Sequence, residues 1–346
     1  MCVLWRGPQG KYFGSWGKFL GKLTILSLVA VTALSATAAQ AQSSAADYNL
    51  FVLGDMHSVG SDTEGRVAVG GNAYLQNYSV GAALSNPSGA SLVVGGNLTA
   101  NGGSTNGGMV VGGTASFSNW STSGLAPAST ASPVDFASEA IRLEALTTTL
   151  AGYTSNATTS YVNWGGSHGG QLTLTGTNSG LNVFTVDASE LSSSNTFNIY
   201  IPDGATALIN VLGTDVTIGS GGFNVPTGAS SILWNFADAT SLSFLQTNMT
   251  GSVLAPNAAY YGSAPIAGQL IVGSFTGQDW QVTQVNHGTY SGNLLSMDPT
   301  PPVVTPPNGG DQANLGVPEP ASWSLMLLGF GATGFALRRR TKVSFA

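Results

Sequence analysis

Three times between residues 65 and 114 a short β-branched run closes on a glycine pair: Gly65-Arg66-Val67-Ala68-Val69-Gly70-Gly71-Asn72, Ser91-Leu92-Val93-Val94-Gly95-Gly96-Asn97 and Met109-Val110-Val111-Gly112-Gly113-Thr114. Each reads as a strand ending in a tight turn. The Val-Gly-Gly units lie 25 and then 17 residues apart, which is in the range of one coil of a β-solenoid.

A second set of strands follows: Asn182 to Val186, Phe197 to Ile201, Ala207 to Val211, Asp215 to Ile218, Ser231 to Phe236, Gly251 to Asn257 and Gly268 to Gly273. Their apolar and polar residues alternate, which places Val, Ile and Leu on one face and Thr, Asn and Ser on the other. One segment breaks the pattern. From Ser132 to Gly152, Phe136, Ala140, Leu143, Leu146 and Leu150 recur every three or four residues, so a helix is predicted over 133–151. Ser132 with Asp135 has capping-box spacing, Pro133 takes the first helical position and Gly152 supplies the stop. Such a helix would cover the flank of the solenoid.

Both ends of the chain read as processing segments. Lys11, Lys18 and Lys22 precede an apolar stretch from Leu23 to Leu34, and Ala39-Gln40-Ala41 supplies a small-x-small cleavage site, so residues 1–41 are a predicted secretory signal peptide with its signal helix. At the other end Val317-Pro318-Glu319-Pro320 is followed by an apolar run over 321–337 and then by Arg338-Arg339-Arg340. Seventeen helical residues at about 1.5 Å each span roughly 25 Å, a little short of a hydrocarbon core of about 30 Å. The arginines would hold the C-terminal end in the cytoplasm, leaving the body outside. Between body and tail, residues 298–316 carry Pro299, Pro301, Pro302, Pro306 and Pro307. Polyproline II at about 3.1 Å per residue would make the first ten residues a spacer of roughly 30 Å.

With both end segments removed, residues 42–317 hold fifteen acidic residues and only Arg66 and Arg142 as bases, a net charge of −13. That sign repels phosphate backbones and excludes nucleic-acid binding. The sole cysteine, Cys2, falls in the leader, so the exported body has neither disulfide nor cysteine metal site.

The tail resembles the PEP-CTERM sorting signal, in which a Pro-Glu-Pro motif, a membrane helix and a basic cluster are read by an exosortase-type membrane protease. The resemblance covers residues 317–346 and implies a Gram-negative bacterium that makes extracellular polysaccharide, with cleavage near Val317 to Pro320. The body, 42–297, resembles the choice-of-anchor A domain through Tyr48-Asn49-Leu50-Phe51-Val52-Leu53-Gly54-Asp55, the Gly-Arg-Val-Ala-Val-Gly-Gly-Asn run at 65–72 and Gly251-Ser252-Val253-Leu254-Ala255-Pro256-Asn257-Ala258. Members of that family are regarded as adhesive domains of cell-surface proteins, some of them labelled collagen-binding. In its order of elements the body is also similar to ice-binding β-helices. These resemblances imply a discontinuous right-handed β-helix with one flanking α-helix, and they bring no catalytic residues.

Motifs for chemistry are sparse. Gly165-Gly166-Ser167-His168-Gly169 fits G-x-S-x-G, but a nucleophile elbow needs a strand before the serine and a helix after it, and here a strand follows. His57, His168 and His287 have no paired spacing that would place two on one face. Asp55, Asp62 and Glu64 form an acidic group that could take calcium, although neither an EF-hand loop nor a Gly-Gly-x-Gly-x-Asp repeat is present; solvated turn carboxylates are the commoner case. Among Trp120, Trp164, Trp234 and Trp280, Trp234 in Ile-Leu-Trp-Asn-Phe fits a core position. Trp164, flanked by Gly165 and Gly166, is the one expected to be exposed and to touch a ligand.

The sequence therefore predicts a non-enzymatic, exported surface or matrix protein, transiently anchored in the inner membrane and displaying Thr, Asn and Ser ladders to a ligand such as exopolysaccharide. An ice- or crystal-surface binder is the alternative. It needs regular outward Thr-x-Thr rows, of which Thr173-Leu174-Thr175 is one, the others being out of register. A hydrolase ranks third, since no acid pair or triad stands out.

Overall fold

The computed structural model describes residues 43–123, 132–166, 169–225, 231–281 and 283–297. The signal peptide, the linker, the sorting tail, Ser167 and His168 lie outside the described residues, as do the membrane helix predicted over 321–337 and the cleavage site at Ala39 and Ala41.

The described chain winds as a parallel β-solenoid with three walls. It starts in the middle of the stack with β1 (Leu50–Val52), β2 (Met56–Val59) and β3 (Asp62–Thr63), one strand per wall. It then climbs through β4 (Val67–Val69) and β5 (Ala73–Val80), β6 (Ala90–Val94) and β7 (Leu98–Thr105), and β8 (Gly108–Val111) and β9 (Ala115–Thr122). After α1 (Phe136–Ala151), β10 (Thr158–Asn163) and β11 (Gly170–Thr175) form an antiparallel pair at the other end. The return coils are β12 (Leu181–Asp187), α2 (Ala188–Ser193) and β13 (Ser194–Tyr200), then β14 (Thr206–Leu212), β15 (Asp215–Ile218) and β16 (Gly222–Asn224). They continue with β17 (Ile232–Asn235), β18 (Ser241–Phe244) and β19 (Met249–Thr250), then β20 (Ser252–Gly262) and β21 (Ile266–Ala267), and close with β22 (Leu270–Gly277) and β23 (Val285–Asn286).

The halves meet in register. Leu50, Phe51 and Val52 pair on one side with Leu270, Ile271 and Val272 and on the other with Val67, Ala68 and Val69. The first wall thus runs β12, β14, β17, β20, β22, β1, β4, β6, β8 without a break.

Glycine makes the corner between the first and second walls. The backbone of Gly95 sits so close to that of Gly70 that a Cβ would lie 2.4 Å from the Gly70 carbonyl oxygen, and Gly112 stands in the same relation to Gly95. Beside the glycines a polar ladder takes over the exposed backbone donors. The Asp55 carboxylate accepts the Asn72 amide at 2.7 Å, the Asn72 side chain accepts the Asn97 amide at 3.0 Å, and the Asn97 side chain accepts the Thr114 amide at 2.9 Å. The Val-Gly-Gly repeat, closed by Asn72, Asn97 and Thr114, is therefore a stacked corner of the three coils that begin with β4, β6 and β8.

The first wall is buried on both sides. Its inward residues join the solenoid core, while Phe51, Ala68, Val93, Leu208, Leu233 and Leu254 pack outward in a second cluster with Leu143, Leu146 and Leu150 of α1. Polar groups fix where the helix sits. Asn235 Nδ2 donates to the Thr147 carbonyl at 3.0 Å and to Asn210 Oδ1 at 2.9 Å, Asn210 Nδ2 donates to the Leu150 carbonyl at 2.8 Å, and the Thr147 hydroxyl donates to Asn235. A fully satisfied buried network of this kind specifies one docking register.

The helix begins later than its spacing predicts. Asp135, not Ser132, is the N-cap: it accepts the Ser138 amide at 3.1 Å, and that hydrogen bond holds its carboxyl below the usual range. Ser132 instead accepts the Val134 amide at 3.1 Å, which keeps Pro133 in the approach to the helix. Near the helix start, buried Glu139 accepts the Ala45 amide at 2.7 Å and pairs with Arg142 at 2.6 Å, while Arg142 Nη1 donates to the carbonyls of Leu295 and Met297, each at 3.1 Å. One ion pair thus ties both ends of the described chain to α1.

Two outcomes follow from these contacts. Gly95→Ala should lower stability by about 1–3 kcal/mol, because the added methyl meets backbone that cannot turn away, and thermal unfolding would show it as a drop of roughly 3–10 °C. Arg142→Met should cost about 3 kcal/mol by leaving the Glu139 charge buried without its partner, with faster amide exchange at Ala45 and Met297 as the local signature.

Candidate binding face

The second wall, unlike the helix-covered first, has an open outer side. Its strands run β15, β18, β20, β22, β2, β5, β7, β9, all parallel. Their inward residues, among them Leu75, Ala100, Leu242, Phe244, Tyr260 and Phe275, are core. Their outward residues stack into rows. One row reads Thr217, Ser243, Tyr261, Thr276, His57, Tyr74, Thr99, Ser116. At about 4.8 Å per strand it extends roughly 34 Å. A second outward row on the same wall carries Gln76, Asn101 and Ser118. Between Val67 and Val134 there is no Asp, Glu, Lys, Arg or His, so this half of the wall is polar without being charged.

Aromatic rings stand in the middle of the row. His57 and Tyr74 stack with centroids 4.8 Å apart and planes 8° from parallel. His57 Nε2 lies 3.2 Å from Asp279 Oδ1, and the Tyr74 hydroxyl donates to Gln76 Oε1 at 2.8 Å. Tyr261 stands two strands from His57, across Thr276, and is as exposed as Tyr74, at 41% and 36%.

The tryptophans divide as the sequence suggests, with one addition. Trp234 is fully buried and donates to the Thr250 carbonyl at 2.9 Å, and Trp120 is half-buried. Trp164 is 76% exposed at the β10–β11 turn, its amide bonded to the Gly169 carbonyl at 3.1 Å. Trp280, which no local pattern singles out, is 65% exposed beside β2. Thr173 and Thr175 stand on β11 in the third wall. Thr173 is in register with Asn198 and Asn224, and Thr175 with Tyr200.

The acidic group is divided between two corners. Asp55 belongs to the asparagine ladder, whereas Asp62 and Glu64 share Gln284 Nε2 at 3.2 Å each, and Glu64 also accepts the His287 amide at 2.6 Å. No set of three His, Cys, Asp or Glu side chains placed to hold a metal occurs among the described residues. Burial raises the pKa of Asp62, the Gln284 hydrogen bond opposes that shift, and the Glu64 charge adds to it.

The fold and the open wall define a class: a parallel β-solenoid with a helix along one wall and a flat polar face on another. The family model described as "Putative Ice-binding-like adhesive domain" matches residues 41–284, and the chain belongs to that family. A PEP-CTERM protein-sorting motif matches residues 316–340 and marks the protein for export to the cell envelope of a Gram-negative bacterium. No curated protein and no solved structure matches the chain significantly. No helix among the described residues is long and apolar enough to cross a membrane.

The Asp62 shift has a defined sign. A carboxyl whose pKa is raised by folding favours the neutral form, so its contribution to stability is full below the unfolded value of about 3.9 and is lost as pH rises through the raised value. Asp62→Asn should therefore melt higher than the parent near pH 7 and equally near pH 3, as pH-dependent calorimetry would show.

Proposed function

We propose that this protein is an exported adhesive or structural module of the cell surface or extracellular matrix, without enzymatic activity, that holds an extended polymer such as exopolysaccharide along its second wall. The observation that carries this reading is the flat row of in-register Thr, Ser, Tyr and His residues on a rigid parallel wall. Many weak contacts repeated at a fixed spacing add their affinities when they belong to one ligand. Trp164, with Thr173 and Thr175 on the neighbouring third wall, would offer a lateral contact.

The route to the surface uses both ends. A signal peptidase would cut after Ala41, residues 321–337 would hold the chain briefly in the inner membrane, and an exosortase-type protease would cut near Val317-Pro318-Glu319-Pro320 while Arg338, Arg339 and Arg340 stay inside. The coils would be right-handed, as parallel crossovers nearly always are. An ice or crystal surface is the alternative ligand, supported by the ice-binding-like character of the family. Against it, the long row interleaves aromatic rings and serines with its threonines.

Retention of the purified full chain on the producing bacterium's exopolysaccharide, with collagen and ice affinity measured in parallel, tests the reading. Saturable retention on the polysaccharide is expected, and Trp164→Ala should weaken it severalfold. Retention on none of the three would overturn the adhesive assignment.

A further inference from the structure

Where the second wall turns into the third, the coils place a residue of left-handed backbone conformation at the same level: Gly60 at φ 74°, Asn77 at 48°, Gly102 at 70° and Asn119 at 52°. Glycine and asparagine are the residues that tolerate this region best. The coil next to Gly60 puts Trp280 there, at φ 60°. Its amide donates to the Val59 carbonyl at 3.1 Å, just as the Gly60 amide donates to the Gln76 carbonyl at 2.9 Å, so the two occupy equivalent corners. Among the five described non-glycine residues with positive φ, Trp280 is the only aromatic.

A bulky side chain in this conformation is strained, and strain of this kind persists at sites of function. Packing does not account for it, because most of the indole faces water. What the indole does touch is Gly60, where a Cβ would lie 3.1 Å from Trp280 Cε3. The residue before it, Asp279, reaches His57, which stacks on Tyr74. Trp280, His57 and Tyr74 therefore belong to one exposed neighbourhood, rimmed by the Asp279 carboxylate and the Gln76 amide.

We infer that Trp280, His57 and Tyr74 form a subsite for a neutral polysaccharide, with sugar rings lying on the aromatic faces and hydroxyls bonding to Asp279 and Gln76. This inference rests on the adhesive reading and gives it a ligand class and an address. Flat rings flanked by amide and carboxylate groups suit a sugar, whose C–H faces are apolar and whose edge is all hydroxyl. Neutrality follows from charge: Asp279 stands within the group, and the exported chain at −13 would repel a uronate or sulfated polymer.

The test uses the full chain in detergent, passed over immobilised dextran, galactomannan, β-1,3-glucan and the acidic polymer alginate. Trp280→Asn installs the residue that neighbouring coils use at this corner, so its melting temperature should equal or exceed the parent's. Tyr74→Thr installs the residue that follows in its row. Each should weaken retention on a neutral polymer about tenfold, the size of losing one well-made aromatic contact. Ile141→Ala, exposed on α1, should change nothing. Parent-like retention by both variants would overturn the subsite and leave the adhesive reading standing. Retention on alginate alone would overturn the neutral assignment. Loss of all polysaccharide retention with collagen or ice binding intact would overturn the subsite only, and loss of all binding would overturn both.

Discussion

The pairing that the rest of the structure depends on is the parallel seam of β22, β1 and β4. The chain begins in the middle of its own stack, so the first and last coils must find each other across more than two hundred residues of sequence. Without β1, β2 and β3 the two halves would be separate short stacks, each ending in an unpaired edge, and a parallel edge is a template for association. With them, the inward residues of both halves form one core, from Met109 near one end to Leu172 near the other.

The seam explains the helix. A chain that finishes climbing at β9 and restarts at the opposite end needs a connection along the stack. Sixteen helical residues at about 1.5 Å each cover roughly 24 Å, or about five strand spacings. The outer side of the first wall then has to be apolar, since α1 lies over it. That is why β1, β4 and β17 are buried throughout, whereas the second wall alternates. The Asn210 and Asn235 pair, stacked in register beneath the helix, turns a greasy contact into a specific one. The Glu139 and Arg142 pair does the same for the two ends of the described body.

What could be read in the sequence was whatever left a local trace. The Val-Gly-Gly units are legible because the corners stacked at Gly70, Gly95 and Gly112 leave no room for a Cβ. The aliphatic first-wall strands and the leucine spacing of α1 were legible because burial on one or both faces forces an apolar pattern. The second-wall strands β5, β7 and β9 left a weaker trace. Their inward positions include Ala100, and their alternation is broken at Asn77, Gly102 and Asn119, where the backbone turns left-handed in mid-strand. The helix α2, which stands where a second-wall strand would be, shows no period at six residues. Trp164 was found from its flanking glycines. Trp280 was not, because its peculiarity is positional: it occupies a Gly or Asn corner, and that is visible only once the coils are in register.

The location of the aromatic group gives the seam a second consequence. Tyr74 belongs to β5 and His57 to β2, whereas Asp279 and Trp280 follow β22 from the far end of the chain. The two stacked rings thus come from one half and Asp279 and Trp280 from the other. The group therefore comes into being only when β22 closes on β2, the step that completes the core. A chain that had misregistered β22 against β2 by one coil would keep most of its strands, its polar walls and the stack of His57 on Tyr74, but would lose Asp279 and Trp280 from beside it. The complete group is in this way tied to one of the most non-local pairings in the fold, whose loop-closure entropy is among the largest to be overcome. An exported protein with no disulfide to lock its ends would then assemble the full group of His57, Tyr74, Asp279 and Trp280 only in the closed state.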